Sequence, residues 1–166
     1  MVFLHQERTV NFAQKVDHFK AKGVPDFQLP RLNFLGSSGL AVSLSDLNQK
    51  IVIINFWATW CKPCVAEFPS LVALSKLYQK DPRLKIVAIA VHSSEKDIET
   101  FLSAGAPDSP NFIILMDSEG SVASSYGTEK IPETYIINDK HLLLTKVISE
   151  QNWVSLDFLT LLKGWL

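Results

Sequence analysis

The apolar residues of this chain fall into blocks whose period changes along the sequence, and each change predicts an element. IVIINFW (51–57) is an unbroken β-branched and aromatic run of the kind that lies buried on both faces of a central sheet. In the VAEFPSLVALSKLYQK stretch that begins at Val65, residues Val65, Phe68, Leu71, Val72, Leu74 and Leu77 recur at helical spacing and predict an amphipathic helix of about four turns. LKIVAIAVH (84–92) reads as a strand, and SEKDIETFLSAG (94–105) as a helix with Ser94 as N-cap and Gly105 as stop. NFIILMD (111–117) is a further strand, and SEGSVASSYG a short helix ending at Gly127. IPETYIIN (131–138) and HLLLTKVIS (141–149) pair as a hairpin around Asp139 and Lys140, and WVSLDFLTLLKGWL closes the chain as a helix. Ahead of these, residues 1–23 carry Val10, Ala13, Val16 and Phe19 at helical offsets, and residues 26–47 alternate as a β-hairpin turning at GSSG (36–39). Strands alternating with helices make an α/β layer structure, to which the terminal hairpin adds antiparallel edge strands.

Composition narrows this to one domain with modest additions: 166 residues, 47% of them hydrophobic, with ten Phe and four Trp, support a sizeable core. The domain is expected over residues 24–166, with 1–23 as an N-terminal helical extension, either a stalk from an absent anchor or a packed cap. Sixteen basic residues balance 17 acidic ones and no basic run stands out, so nucleic acid and anionic membrane surfaces are not expected partners. No apolar stretch approaches the roughly 20 residues that cross a bilayer, and MVFLHQERTVNFAQK lacks the marks of a signal peptide.

Both cysteines of the chain lie in WATWCKPC (57–64), where the first core strand ends and the long helix begins. A CxxC pair in a structural zinc site supplies two of four ligands, yet there is no further cysteine, and the four histidines, His5, His18, His92 and His141, form no HxH or HxxxH pair. A static staple is also a poor account, because a bridge over so short a loop stabilises little. The local features fit a reversible dithiol. Unpaired N–H groups and the macrodipole at a helix N-terminus favour a thiolate by up to roughly 2 kcal/mol, about 1.5 pKa units. Taking a thiol from a pKa near 8.5 to about 7 raises its ionised fraction roughly 15-fold at neutral pH, makes it a better leaving group and stabilises the reduced form. Lys62 adds positive charge beside Cys61, and Pro63 is tolerated in a first helical turn, where it stiffens the loop.

NFWATWCKPC followed by EFP resembles the active-site segment of the thioredoxin superfamily, and in particular its TlpA-like and ResA-like branch of exported thiol-disulfide oxidoreductases. GTEKIPETYIIND is similar to the family's second motif, whose proline is cis and whose preceding residue faces the dithiol; those positions are Pro132 and Ile131. The resemblance covers roughly residues 24–150. It implies a thioredoxin fold, a central mixed sheet flanked by helices, with an N-terminal β-hairpin extension and an inserted strand-helix unit before the cis-proline strand. It also implies roles: Cys61 attacks a substrate disulfide, Cys64 resolves the mixed disulfide, and Pro132 and Ile131 shape the groove for the partner chain. Trp57 and Trp60 match flanking tryptophans, with Trp57 equally a core aromatic. Glu67 matches an acidic position that modulates thiol acidity and proton transfer, or else helps the helix N-terminus. Asn55 departs from the buried Asp of cytosolic thioredoxins and cannot take a proton, which leaves Glu67 as the nearby acid. Glu133 either lines the groove or stands as a solvated edge charge, the latter favoured, and His92 reads as a loop residue.

The implied function is reduction of disulfides in exported proteins, apocytochrome c among the candidate substrates, without metal or cofactor, by a monomer fed from a membrane thiol-electron donor. The location is periplasmic or otherwise extracytoplasmic, with cytoplasmic as the alternative. Two other readings stay open. A peroxiredoxin-like peroxidase shares the fold but needs a PxxxTxxC motif, and here Thr59 stands two residues before Cys61 with no matching Pro. A non-catalytic copper-handling or redox-sensing module would be expected to carry CxxxC and a suitably placed His.

Overall fold

The computed structural model describes residues 16–33 and 37–166. Strands β1 (Gln28–Asn33), β2 (Ser37–Ser43), β3 (Ile51–Trp57), β4 (Leu84–Val91), β5 (Phe112–Asp117), β6 (Glu133–Asn138) and β7 (Leu143–Ile148) form one seven-stranded sheet in the order β2-β1-β5-β4-β3-β6-β7. The helices are α1 (Lys62–Leu77), α2 (Glu95–Leu102), α3 (Ser121–Tyr126) and α4 (Leu156–Trp165), and residues 16–22 are helical ahead of them. β3 pairs in parallel with β4, and β4 with β5, whereas β6 runs antiparallel to β3 and β7 antiparallel to β6. This is the mixed sheet flanked by helices that the sequence predicts.

Each residue of β3 is buried, which is why its run shows no polar alternation. The strand's pleat divides the core into two sides. On one side Trp57 packs on Phe68 of α1 and Phe101 of α2, with ring centroids 4.7 and 5.1 Å away. On the other, Phe56 packs edge-on against Tyr126 of α3 at 5.3 Å and Tyr135 of β6 at 5.8 Å. Phe19, from the leading helical segment, joins this second cluster and is buried. Fully burying side chains of this size contributes on the order of 1.5–3 kcal/mol each.

Most predicted elements stand within a few residues of their expected bounds, and the departures have local causes. β6 begins at Glu133 rather than Ile131, because the Ile131–Pro132 peptide is cis and forms the turn that feeds the strand. α2 ends at Leu102, three residues before Gly105, although Ser94 does cap it, its hydroxyl accepting from the Asp97 N–H at 3.2 Å. Of the GSSG turn expected in the first hairpin, Ser37–Gly39 lie inside β2, Ser37 pairing with Asn33, and Gly36 lies outside the described residues. Of the leading helix, Val10 and Ala13 lie outside the described residues. Among the described residues no helix is long and apolar enough to cross a membrane.

Candidate active site

β3 delivers its C-terminal end to a tight turn. The Cys61 N–H donates to the Ala58 carbonyl at 3.2 Å, and α1 starts at the next residue. Cys61 is the N-cap: its backbone is extended, and its Sγ accepts from the Cys64 N–H at 3.4 Å, satisfying one of the unpaired donors of the helix start. Pro63 lies in the first turn, where no hydrogen bond is lost to it. The turn is tied to the end of β4, since the Trp60 Nε1–H donates to the His92 carbonyl at 3.0 Å. His92 itself has a positive φ of 47°.

Cys61 and Cys64 are joined as a disulfide. The Cys61 Sγ lies 3.7 Å from the carbonyl oxygen of Ile131, across the cis-peptide turn. The two motifs, 70 residues apart in sequence, therefore meet at one sulfur. Both sulfurs belong to residues with little exposure, Cys61 at 6% and Cys64 at 1%. Lys62 and Pro63 are exposed beside them, and so is Trp60 at 62%. Trp57, by contrast, is a core aromatic with no exposure. A cavity of about 430 Å³ opens next to the dithiol, with Trp60, His92, Ala123, Thr128, Glu129 and Ile131 in its walls. Among the described residues no three His, Cys, Asp or Glu side chains converge as a metal site.

Glu67, one turn beyond Cys64, is buried, and its carboxylate accepts three hydrogen bonds. Asn55 Nδ2 donates to Oε1 at 2.8 Å, while the Gln151 N–H and Trp153 Nε1–H donate to Oε2 at 2.9 and 3.2 Å. Asn55 also donates to the Thr134 hydroxyl at 2.9 Å, linking the acid to the strand that follows the cis-proline. Burial pushes the Glu67 carboxyl above its ordinary value, and the three donors only partly offset this. Glu67 is the sixth residue of α1, past the first turn where the helix dipole acts, so it does not serve the helix N-terminus.

Glu133 corrects the expectation of a solvated edge charge, and its carboxylate is not offered to the groove either. It is 3% exposed and pairs with Lys146 Nζ at 2.8 Å, with the Tyr135 hydroxyl 3.4 Å from Oε2. Glu133 and Tyr135 point to the same side of β6, and Tyr135 faces Lys146 across β7, so the diagonal neighbour supplies the counter-charge. Sequence reasoning also missed Trp153, Thr134 and Lys146. For Lys146 a signal existed: it is the one Lys or Arg inside the largely apolar stretch HLLLTKVIS.

Residues 12–145 match the model of the AhpC/TSA family. The thioredoxin-like protein YneN of Bacillus subtilis is 37% identical over 119 residues, which are 72% of this chain and 65% of that protein. The thiol-disulfide oxidoreductase ResA of the same organism is 31% identical over 154 residues, covering 92% of this chain and 80% of ResA. Among solved structures, a thiol:disulfide interchange protein DsbE from Chlorobium tepidum superposes with a TM-score of 0.72 at 24% identity, over 86% of this chain and 94% of that one, a likeness of fold. With a CxxC disulfide capping the helix after β3 and a cis-proline turn against it, the chain belongs to the AhpC/TSA family and, within it, to the thiol-disulfide oxidoreductases of the ResA type.

Proposed function

We propose that this protein reduces disulfides in exported proteins, cycling between the Cys61–Cys64 disulfide and the dithiol. The observation that carries the reading is the contact between Cys61 Sγ and the Ile131 carbonyl, which sets the sulfur of a helix N-cap against a backbone edge able to receive an extended chain. In the reduced protein the Cys61 thiolate attacks one sulfur of the substrate disulfide and expels the other as a thiolate. Cys64 then loses its proton and attacks Cys61 Sγ, releasing the second substrate thiolate and closing the disulfide. Two electrons pass from protein to substrate, the Cys64 proton goes to an acceptor in the protein, and the two substrate thiolates take their protons from the surrounding water.

Cys61 is the attacking residue because it is the more exposed of the two and holds the N-cap. Glu67 is the proton acceptor for Cys64: it lies one helical turn away, and burial raises its affinity for a proton above that of an ordinary carboxylate. Trp60, Lys62, Pro63 and Ile131 line the approach, with Pro132 setting the turn. The ResA-type resemblance supports an extracytoplasmic location, a membrane thiol-electron donor, a monomeric state and an apocytochrome c disulfide as substrate. Cys61→Ser is expected to abolish reduction of insulin-type disulfides, while Cys64→Ser accumulates the mixed disulfide. Equilibrated against glutathione, the pair should settle near about −270 mV or lower; a value near about −180 mV or higher would make the protein an oxidant or isomerase.

A further inference from the structure

The Glu133–Lys146 pair is an unusual use of two charges. Both side chains are 4% exposed, and removing two ions from water costs more than their attraction returns unless the contact is close and further polar groups surround it. Its place in the fold indicates one. Glu133 is two residues from Ile131, so its Cα stands within about 7 Å of the residue whose carbonyl touches Cys61 Sγ. Lys146 starts further away, opposite Tyr135, and reaches back to the carboxylate while its Nζ rests 4.8 Å from the Tyr135 ring centroid. The carboxylate is thus carried by the residue next to the cis-proline turn, and the ammonium is brought to it from the neighbouring strand.

The pair also braces the surrounding turn. The Tyr135 hydroxyl beside Glu133 donates to the Tyr126 carbonyl at 2.9 Å and lies 3.2 Å from the Thr128 hydroxyl, in the wall of the cavity next to the dithiol. The Pro132 carbonyl accepts from the Ser149 N–H at 3.1 Å, closing the other side of the turn. Tyr135 from β6 faces the pair and Phe56 of β3 stands opposite Glu133, while Tyr126 from α3 and Phe19 from the leading helical segment pack behind them. Cys64, Lys62 and Glu67 follow Cys61 along α1, and the cavity beside the dithiol carries His92 at the end of β4 and Glu129 ahead of the cis-proline turn.

We propose that Lys146 is a positioning residue of the redox site, holding Glu133 beneath the Ile131–Pro132 turn and cancelling the field that this carboxylate would otherwise impose on the Cys61 thiolate. This rests on the dithiol reading given above. An unpaired unit charge at about 10 Å, in a medium of effective dielectric about 20, moves a thiol's midpoint by about one pH unit. Losing Lys146 leaves excess negative charge and makes the thiolate harder to form. Losing Glu133 leaves excess positive charge and makes it easier. Removing both restores the balance.

The test is the rate of Cys61 alkylation by iodoacetamide against pH, on reduced protein without substrate. Lys146→Met is expected to move the midpoint up, and Glu133→Gln to move it down, each by about half a pH unit or more. The Glu133→Gln/Lys146→Met double variant should return to the wild-type profile. Any other pattern, including four coincident profiles accompanied only by lost stability, overturns the assignment. Should Lys146→Met fold poorly, Lys146→Arg supplies a second measurement: it keeps the counter-charge, so its alkylation profile must coincide with wild type while Glu133→Gln still moves the midpoint down. A Lys146→Arg midpoint displaced by about half a pH unit or more, or an unmoved Glu133→Gln midpoint, overturns the proposal equally. If wild type alkylates normally yet exchanges no disulfides, the dithiol reading fails while the charge coupling stands.

Discussion

Glu67 and Glu133 are both withdrawn from water close to the dithiol, but on opposite sides of the sheet, and their surroundings differ in kind. Glu67 is met only by neutral donors, an amide, an indole and a backbone N–H, which leave burial to raise its proton affinity. Glu133 is met by an ammonium at 2.8 Å. A carboxylate held by dipoles alone keeps its charge unbalanced, whereas one paired with a cation forms a neutral unit. One helical turn from Cys64 the fold keeps a buried acid with neutral partners, and next to the cis-proline turn it keeps one with a counter-charge.

The largest test of this contrast is Lys146→Met. It strands a buried charge and should cost about 3–5 kcal/mol in urea unfolding of the oxidised protein, while Glu133→Gln/Lys146→Met costs clearly less. Equal losses in the two variants would remove the distinction between the sites. Glu67→Gln is expected to cost about 1–3 kcal/mol, because one face of the new amide presents N–H groups to donors that need an acceptor.

Its pH dependence sharpens the comparison further. Because burial raises the Glu67 carboxyl, the folded protein keeps that proton to higher pH than the unfolded chain. The resulting stabilisation is fully present below the ordinary value of 4.5 and is lost as pH rises through the raised one. Urea midpoints of wild type and Glu67→Gln should therefore converge as pH is raised from about 4 toward neutrality. The smallest effect is expected from Thr134→Val, which removes an acceptor from Asn55 and leaves the Glu67 bonds in place, for about 0.5–1.5 kcal/mol by chemical denaturation.

What the sequence made legible follows from how local each cause is. β3 announces itself because burial on both faces forces an unbroken apolar run, and the helix start at Lys62 is readable from Cys61 and Pro63. Asn55 pointed to Glu67 as the nearby acid, and the two are hydrogen-bonded. The partners that set the chemistry of each acid were not readable. Trp153 lies 86 residues beyond Glu67 and reaches it only once the chain has crossed the sheet. Lys146 meets Glu133 by the register of the β6–β7 hairpin, which moves the contact off the directly opposed position held by Ile148. The GSSG turn failed for a similar reason: turn-forming residues permit a reversal, and strand pairing places it.

The bonds from residues 151 and 153 to Glu67 carry a consequence for biosynthesis. A growing chain exposes WATWCKPC long before those residues leave the ribosome, so its thiols first meet oxidants and other cysteines without the finished acid pocket behind them. The acid pocket is completed late, when residues 151 and 153 dock and their donors close over the Glu67 carboxylate.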